Sequence, residues 1–94
     1  MRGRTDHNQS EIVRALMAVG ATVTDLSQVG GGCPDLLVGF QHRNYLLEIK
    51  REDKPIRLTT HQKIYHEAWR GKVHIIQTVP EALNAIGVQV KGYM

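Results

Sequence analysis

The sequence predicts an α/β fold in which a mixed β-sheet carries helices on its faces. Apolar residues recur at helical spacing after Ser10 and again after Thr59. Between and beyond these segments lie short apolar or alternating runs that are typical of strands. The elements therefore follow one another as α-β-β-β-α-β-α, an order that favours a sheet packed against helices.

Local signals place the boundaries of each element. Helices begin where capping side chains or a proline suit a helix N-terminus, and they end near glycines. In chain order, the helices begin at Asn8 to Ser10, Thr59 and Pro80, and the first two end at Gly20 and Gly71. In chain order, the strands are residues 21–26, 36–40, 45–50 and 73–78. The polar turn 41–44 joins the second and third strands into a hairpin, and residues 30–34 are irregular because they hold three glycines and a proline.

Length and composition predict one domain covering residues 1–94, with a core so modest that self-association would help to stabilise it. No run is apolar for long enough to cross a membrane, and no apolar leader follows the basic N-terminus. We therefore expect an intracellular, cytoplasmic protein. The net charge of +3 favours a polyanionic partner only mildly. Cys33 is the only cysteine, which excludes an internal disulfide.

Three charged residues of the hairpin region are predicted to share one face of the sheet. Side chains alternate along a strand, so Glu48 and Lys50 point the same way, opposite to the apolar core. With the turn centred on residues 42 and 43, Asp35 lies opposite Lys50, and Leu37 lies opposite Glu48. Asp35, Glu48 and Lys50 would then lie within reach of a single metal ion.

This set of side chains suits phosphodiester hydrolysis. The carboxylates of Asp35 and Glu48, with the backbone carbonyl of Ile49, are the hard oxygen ligands that Mg²⁺ or Mn²⁺ prefers. Such an ion would screen the phosphate and acidify a water, while Lys50 would orient that water or stabilise the developing charge. The alternative is an ordinary surface pair, because an acid and a base two residues apart are common on exposed strands.

Longer motifs carry a resemblance to a known family. They are Gly32-Cys33-Pro34-Asp35-Leu36, Leu47-Glu48-Ile49-Lys50, Leu58-Thr59-Thr60-His61-Gln62 and Val73-His74-Ile75-Ile76 followed by Glu81-Ala82. They resemble the Gly-x-Pro-Asp-Leu motif, the Glu-x-Lys strand, the helix-opening segment with its glutamine and the final strand and helix of the virus-type replication-repair nuclease (VRR-NUC) domain. That domain belongs to the PD-(D/E)XK nuclease superfamily, and the likeness is to its short stand-alone form. The resemblance implies a restriction-endonuclease-like αβββαβα core and a metal-dependent DNA endonuclease.

The resemblance also implies roles for individual residues. Asp35 and Glu48 would be metal ligands, and Lys50 would be the catalytic lysine. Glu11 is the matching candidate for a further catalytic acid, binding the metal directly or through water; its alternative role is a favourable charge at the helix N-terminus. Gln62 would support the lysine or the water network, and its alternative is a capping-box bond to Thr59, which can coexist with the first role.

Contacts to DNA are expected from two groups of residues. Backbone N–H groups of Gly31 and Gly32 can approach a phosphate closely. The other group is a basic rim after the third strand, made of Arg51, Lys54, Arg57 and Lys63. The resemblance further implies a homodimer that acts on branched DNA such as four-way junctions, and it allows a virus-encoded protein that acts in a host cell.

Two rival classes of function remain open. A catalytically inactive or accessory DNA-binding module of the same fold would bind DNA without cutting it, although a pure binder has no need to crowd two acids near phosphates. A zinc site is disfavoured, because His61 and His66 are five residues apart and do not stack on one helical face.

Overall fold

The elements follow the predicted order in a computed structural model, which describes residues 7–90. The helices are α1 (His7–Ala18), α2 (Thr60–Ala68) and α3 (Val79–Ala85). The strands are β1 (Thr22–Asp25), β2 (Leu36–Phe40), β3 (Arg43–Ile49) and β4 (Val73–Ile76). The predicted α/β class with a mixed sheet is confirmed. Within residues 7–90, no helix combines the length and the apolar character needed to cross a membrane.

The four strands form one sheet in the order β1-β2-β3-β4. The first three strands run antiparallel to their neighbours, whereas β4 runs parallel to β3. A parallel neighbour requires a crossover connection, and α2 lies within that connection. The strand that holds the Glu-x-Lys pattern is therefore an inner strand, bordered by β2 on one side and by β4 on the other.

The two faces of the sheet are covered to different degrees. On one face, apolar side chains such as Leu36 and Leu47 pack with Ile12 and Leu16 of α1 in the buried core. On the opposite face lies α2, none of whose residues is buried. Leu37, which points to this second face, is 37% exposed. The second face is thus incompletely covered, and it is the face that carries Glu48.

The hairpin turn is tighter than the sequence predicted. It consists of Gln41 and His42 alone, so that Phe40 pairs directly with Arg43. Both turn residues adopt left-handed backbone angles, with φ of 51° and 66°. Two-residue hairpin turns of this kind are usually signalled by Asn-Gly or Asp-Gly. Gln-His carries no such signal, which is why the turn centre was misplaced.

The predicted register of the hairpin was wrong by two residues. Leu37 pairs with Leu46 rather than with Glu48. The paired residues end at Leu36 and Leu47, one position before Asp35, and the Asp35 side chain lies beside Glu48. Since side chains alternate with a period of two, a shift of two residues leaves the same side chains on the same face.

The glycine-rich loop packs directly against the start of α2. Gly30, Gly31 and Gly32 all have positive φ, a conformation that side chains disfavour. A Cβ added at Gly32 would lie 2.2 Å from the carbonyl oxygen of His61, whereas one added at Gly31 would meet nothing within 4 Å. The loop therefore needs glycine at position 32 for space as well as for backbone angle.

We expect Gly32→Ala to destabilise the fold by about 3 kcal/mol or more, because it adds a backbone clash to the left-handed strain. Gly31→Ala is the matched control, and it should cost only about 1 kcal/mol from backbone strain. Urea denaturation of the two variants and the wild type measures both values. Equal losses in the two variants would contradict the close packing of Gly32 on α2.

Candidate active site

The loop before β2 and the end of β3 bring two carboxyl groups together. The amide of Ile49 donates to Oδ2 of Asp35 at 2.8 Å, and the amide of Asp35 donates to the carbonyl of Leu47 at 3.0 Å. These two bonds fix the Asp35 side chain against β3. Glu48 lies between Leu47 and Ile49 and is only 2% exposed. The charge of Asp35 is close enough to shift the pKa of Glu48.

Both acids resist ionisation in this environment. Burial, followed by the neighbouring charge of Asp35, raises the pKa of Glu48 to about 8, although the Lys50 ammonium opposes the shift. Burial also raises the pKa of Asp35, with the hydrogen bond from the Ile49 amide acting against it. Two neighbouring carboxyl groups removed from water do not both ionise readily, so the pair keeps a proton to a higher pH than an ordinary carboxyl group does.

A single glutamine connects the acid, the lysine and α2. Nζ of Lys50 donates to Oε1 of Gln62 at 2.8 Å, and Nε2 of Gln62 donates to Oε2 of Glu48 at 3.0 Å. The same Oε1 also accepts from the amide of Thr59 at 2.9 Å, which completes the predicted capping box. The two alternatives for Gln62 thus hold together, since one oxygen serves both. Nζ of Lys50 lies 3.8 Å from Oε2 of Glu48.

The donor set of this site fits a hard divalent cation. Oε1 of Glu48 is buried and accepts from no N–H or O–H group of the described residues, and the carboxyl groups of Asp35 and Glu48 are close enough to share a hydrogen bond when one of them is protonated. The amide of Ile49 points to Asp35, and the carbonyl of a strand residue points to the same side as its amide, so the Ile49 carbonyl faces Asp35 as well. In residues 7–90, no group of three His, Cys, Asp or Glu side chains could hold a metal. Two carboxylates and a carbonyl nevertheless suit Mg²⁺, which keeps several waters.

The remaining predicted site residues are a helix acid, two loop glycines and the basic rim, and none of them belongs to the pair formed by Asp35 and Glu48. Glu11 is exposed on α1, and the structure does not bring it into a group with Asp35 and Glu48. Its catalytic role stays a prediction. Gly31 is exposed, whereas Gly32 is partly covered by α2. The four residues of the predicted basic rim are all exposed: Arg51, Lys54, Arg57 and Lys63.

The first part of this basic rim is anchored to the sheet. Nε2 of Gln77 donates to the carbonyls of Arg51 at 2.8 Å and Lys54 at 3.0 Å. The Arg51 guanidinium makes two hydrogen bonds to Asp53, at 2.7 and 3.0 Å. The segment that follows Lys50 is therefore held in place just beside the acid pair.

Three further polar residues near the site were missed from the sequence. Nδ2 of Asn8 donates to the carbonyl of Lys50 at 2.9 Å, which ties α1 to the end of β3. Asp25 ends β1, and its charge adds to the rise in the pKa of Asp35. Nε2 of His66 is buried with no hydrogen-bond partner among the described residues, and burial and the Lys50 charge lower the pKa of this histidine.

Only one of these three had a signal in the sequence. His66 follows Gln62 by four residues, the spacing that places two side chains on one helical face. Asn8 and Asp25 reach the site through tertiary packing, which no local pattern encodes.

Comparisons with models of protein families, with curated proteins and with solved structures find no match to this chain.

We expect the stability of the metal-free protein to fall as the pH rises from about 5 to 8. Because the pKa of Glu48 rises from 4.5 to about 8 on folding, the folded state keeps a proton that the unfolded state has already lost. Stability from this group is fully present below the unfolded pKa and is lost as the pH approaches 8, with a slope of at most about 1.4 kcal/mol per pH unit. Urea denaturation in EDTA across this range measures it.

Glu48→Gln provides the control, because it removes the titrating group and keeps an oxygen that can accept from Gln62. Groups distant from the site contribute equally in both proteins, so the difference between the two stability curves reports on the coupled Asp35–Glu48 pair. Parallel curves for the variant and the wild type would contradict the raised pKa.

Proposed function

We propose that this chain is a metal-dependent DNA endonuclease that hydrolyses phosphodiester bonds. The observation that carries the proposal is the pair formed by Asp35 and Glu48, two neighbouring carboxyl groups of which Glu48 is 2% exposed and has a raised pKa. Burying carboxyl groups beside one another opposes folding unless a ligand or partner compensates. Groups with strongly shifted pKa values, placed next to a lysine, cluster at functional sites.

In this proposal, Asp35 and Glu48 hold Mg²⁺ or Mn²⁺ together with the carbonyl of Ile49. Bound there, the ion would screen the scissile phosphate, stabilise the charge of the transition state and acidify a water. Glu48 would ionise when the ion binds, and the Ile49 amide would keep Asp35 oriented through its hydrogen bond at 2.8 Å.

Lys50 supplies the positive charge of the site. Its ammonium has three donors, of which one is used by Gln62 at 2.8 Å. The remaining donors can orient the attacking water or stabilise a phosphate oxygen. Gln62 acts as a positioning residue, because its amide fixes the lysine and Glu48 relative to each other.

The fold and the sequence motifs support a more specific form of the proposal. The order of elements and the mixed sheet agree with the restriction-endonuclease-like core that the VRR-NUC resemblance implies. A homodimer acting on branched DNA follows from the same resemblance, with two sites related by two-fold symmetry. The small core supports self-association, since its cluster of buried residues has only ten members in the described part of the chain. We propose that the enzyme acts in the cytoplasm.

We expect wild-type protein to nick supercoiled plasmid and to cut branched DNA when Mg²⁺ or Mn²⁺ is added. Asp35→Asn and Lys50→Ala should each lower the rate about 100-fold or more, because each removes a charge that acts in the transition state. The measurement compares rates on a duplex, a flap, a splayed arm and a four-way junction, with EDTA as the metal-free control.

Glu67→Gln is the matched control for this experiment, because it removes an exposed carboxylate from α2 away from the acid pair. It should cut at the wild-type rate. Identical rates for the wild type, Asp35→Asn and Lys50→Ala would refute the active site. Binding of DNA without nicking under every metal condition would instead favour the accessory DNA-binding module.

Light scattering after size exclusion tests the dimer. We expect a mass near twice that of the monomer at micromolar concentration, because self-association would add to a small core. A monomer mass at every concentration that supports cleavage would exclude the paired-site arrangement and leave the nuclease activity itself untouched.

A further inference from the structure

The face of the hairpin that carries the two acids continues into an apolar cavity. After Asp35 and Glu48, the next same-face pair is Leu37 with Leu46, about 7 Å further along the strands. These leucines form part of a cavity of about 440 Å³ between the sheet and α2. The cavity is therefore adjacent to the candidate active site and shares its supporting strands.

Two stacked aromatic rings form the wall of this cavity on the side of α2. Tyr65 and Trp69 lie four residues apart, with ring centroids 5.7 Å apart and planes inclined by 15°. A Cβ at Gly71 would lie 2.8 Å from Nε1 of Trp69, so the glycine leaves the space that the indole occupies. Trp69 is still 44% exposed. A stacked, partly exposed ring pair is a platform on which a further flat ring can stack.

Two polar side chains complete the lining of the cavity. Asn44 offers an amide with both donors and an acceptor, and Lys72 offers an ammonium group. An amide can pair with the edge of a nucleobase, and an ammonium can contact its phosphate. The volume lies within the range of pockets that enclose small molecules, which are mostly apolar and hold a few polar groups.

We propose that this cavity binds an unpaired nucleobase of the DNA substrate, stacked against Trp69 and next to the phosphate held at the acid pair. The inference rests on the proposed nuclease function, and it names the substrate class: DNA that exposes an unstacked nucleotide beside the cleaved bond. The aromatic rings, the leucines and one amide suit a flat heterocycle, and the cation that the neighbouring acid pair is proposed to bind would hold the adjacent phosphate.

The first test needs no substitution in the protein. Trp69 is the only tryptophan of the chain, so its fluorescence reports on the cavity directly. Titration in EDTA compares a duplex that has one unpaired adenine with the same duplex carrying an abasic site at that position. We expect the adenine to quench Trp69 and to bind roughly 5- to 100-fold more tightly, as one base stacked on an aromatic ring does. Equal affinity and equal quenching would overturn the proposal.

Substitutions of Trp69 separate stacking from simple apolar packing. Trp69→Leu keeps an apolar side chain and should remove the preference for the adenine duplex, whereas Trp69→Phe should retain part of it. Affinity is measured for these variants by anisotropy of a labelled duplex. Ile64→Ala is the control on the same helix, because Ile64 is exposed and lies outside the cavity lining. It should keep the full preference, and a preference unchanged in Trp69→Leu would refute the stacking role.

The results distinguish this inference from the proposed nuclease function. Adenine-dependent binding without any cleavage by the wild type would support the cavity and refute the nuclease. Cleavage that depends on Asp35 but ignores the abasic replacement would support the nuclease and refute the cavity. If Trp69→Leu instead halves the mass in light scattering and leaves the adenine preference intact, a second copy of the chain covers the cavity and the inference fails.

Discussion

The side-chain amide of Gln62 is the interaction on which the geometry of the site depends. It accepts from the Thr59 amide and from Lys50, and it donates to Glu48, so it joins a helix cap to both chemical groups of β3. The α2 helix buries none of its residues, and apolar packing alone would hold it weakly on the sheet. Hydrogen bonds to a buried charged or ionisable group are stronger than neutral ones, which makes this polar contact an effective anchor for the helix.

The close approach of the glycine loop determines where that anchor can form. Gly32 lies against the backbone of His61, the residue immediately before Gln62. The loop continues through Pro34 into Asp35, whose side chain is fixed by the amide of Ile49. One short segment therefore sets the position of α2 and the position of the first acid. A shift of the loop would move Asp35 and Gln62 together, which couples the packing of the loop to the chemistry of the site.

Local patterns predicted the order of elements, the capping box of Thr59 and Gln62 and the shared face of Asp35 and Glu48, because each depends on the period of one element or on an adjacent cap. The register of the hairpin failed, since it depends on a turn whose two residues adopt left-handed angles without glycine. Whether Glu11 contacts the acid pair depends on how α1 is oriented on the sheet, which sequence spacing does not determine. In the structure, Glu11 is exposed. Residues such as Asp25 approach the site through the packing of separate elements, which composition and spacing do not encode.

The observed register of β2 and β3 determines which side chains adjoin the two acids on the second face of the sheet. The carboxyl groups of Asp35 and Glu48 are neighbours, and like charge destabilises them when both ionise. The next pair on this face, Leu37 and Leu46, places apolar surface directly beside the acids. Burial raises the pKa of the neighbouring Glu48, so a cation that binds there has to displace a proton. The same leucines line the cavity beneath Trp69. The acid pair and the cavity thus adjoin on the same two strands, so the proposed chemistry and the proposed base recognition depend on the position of one hairpin.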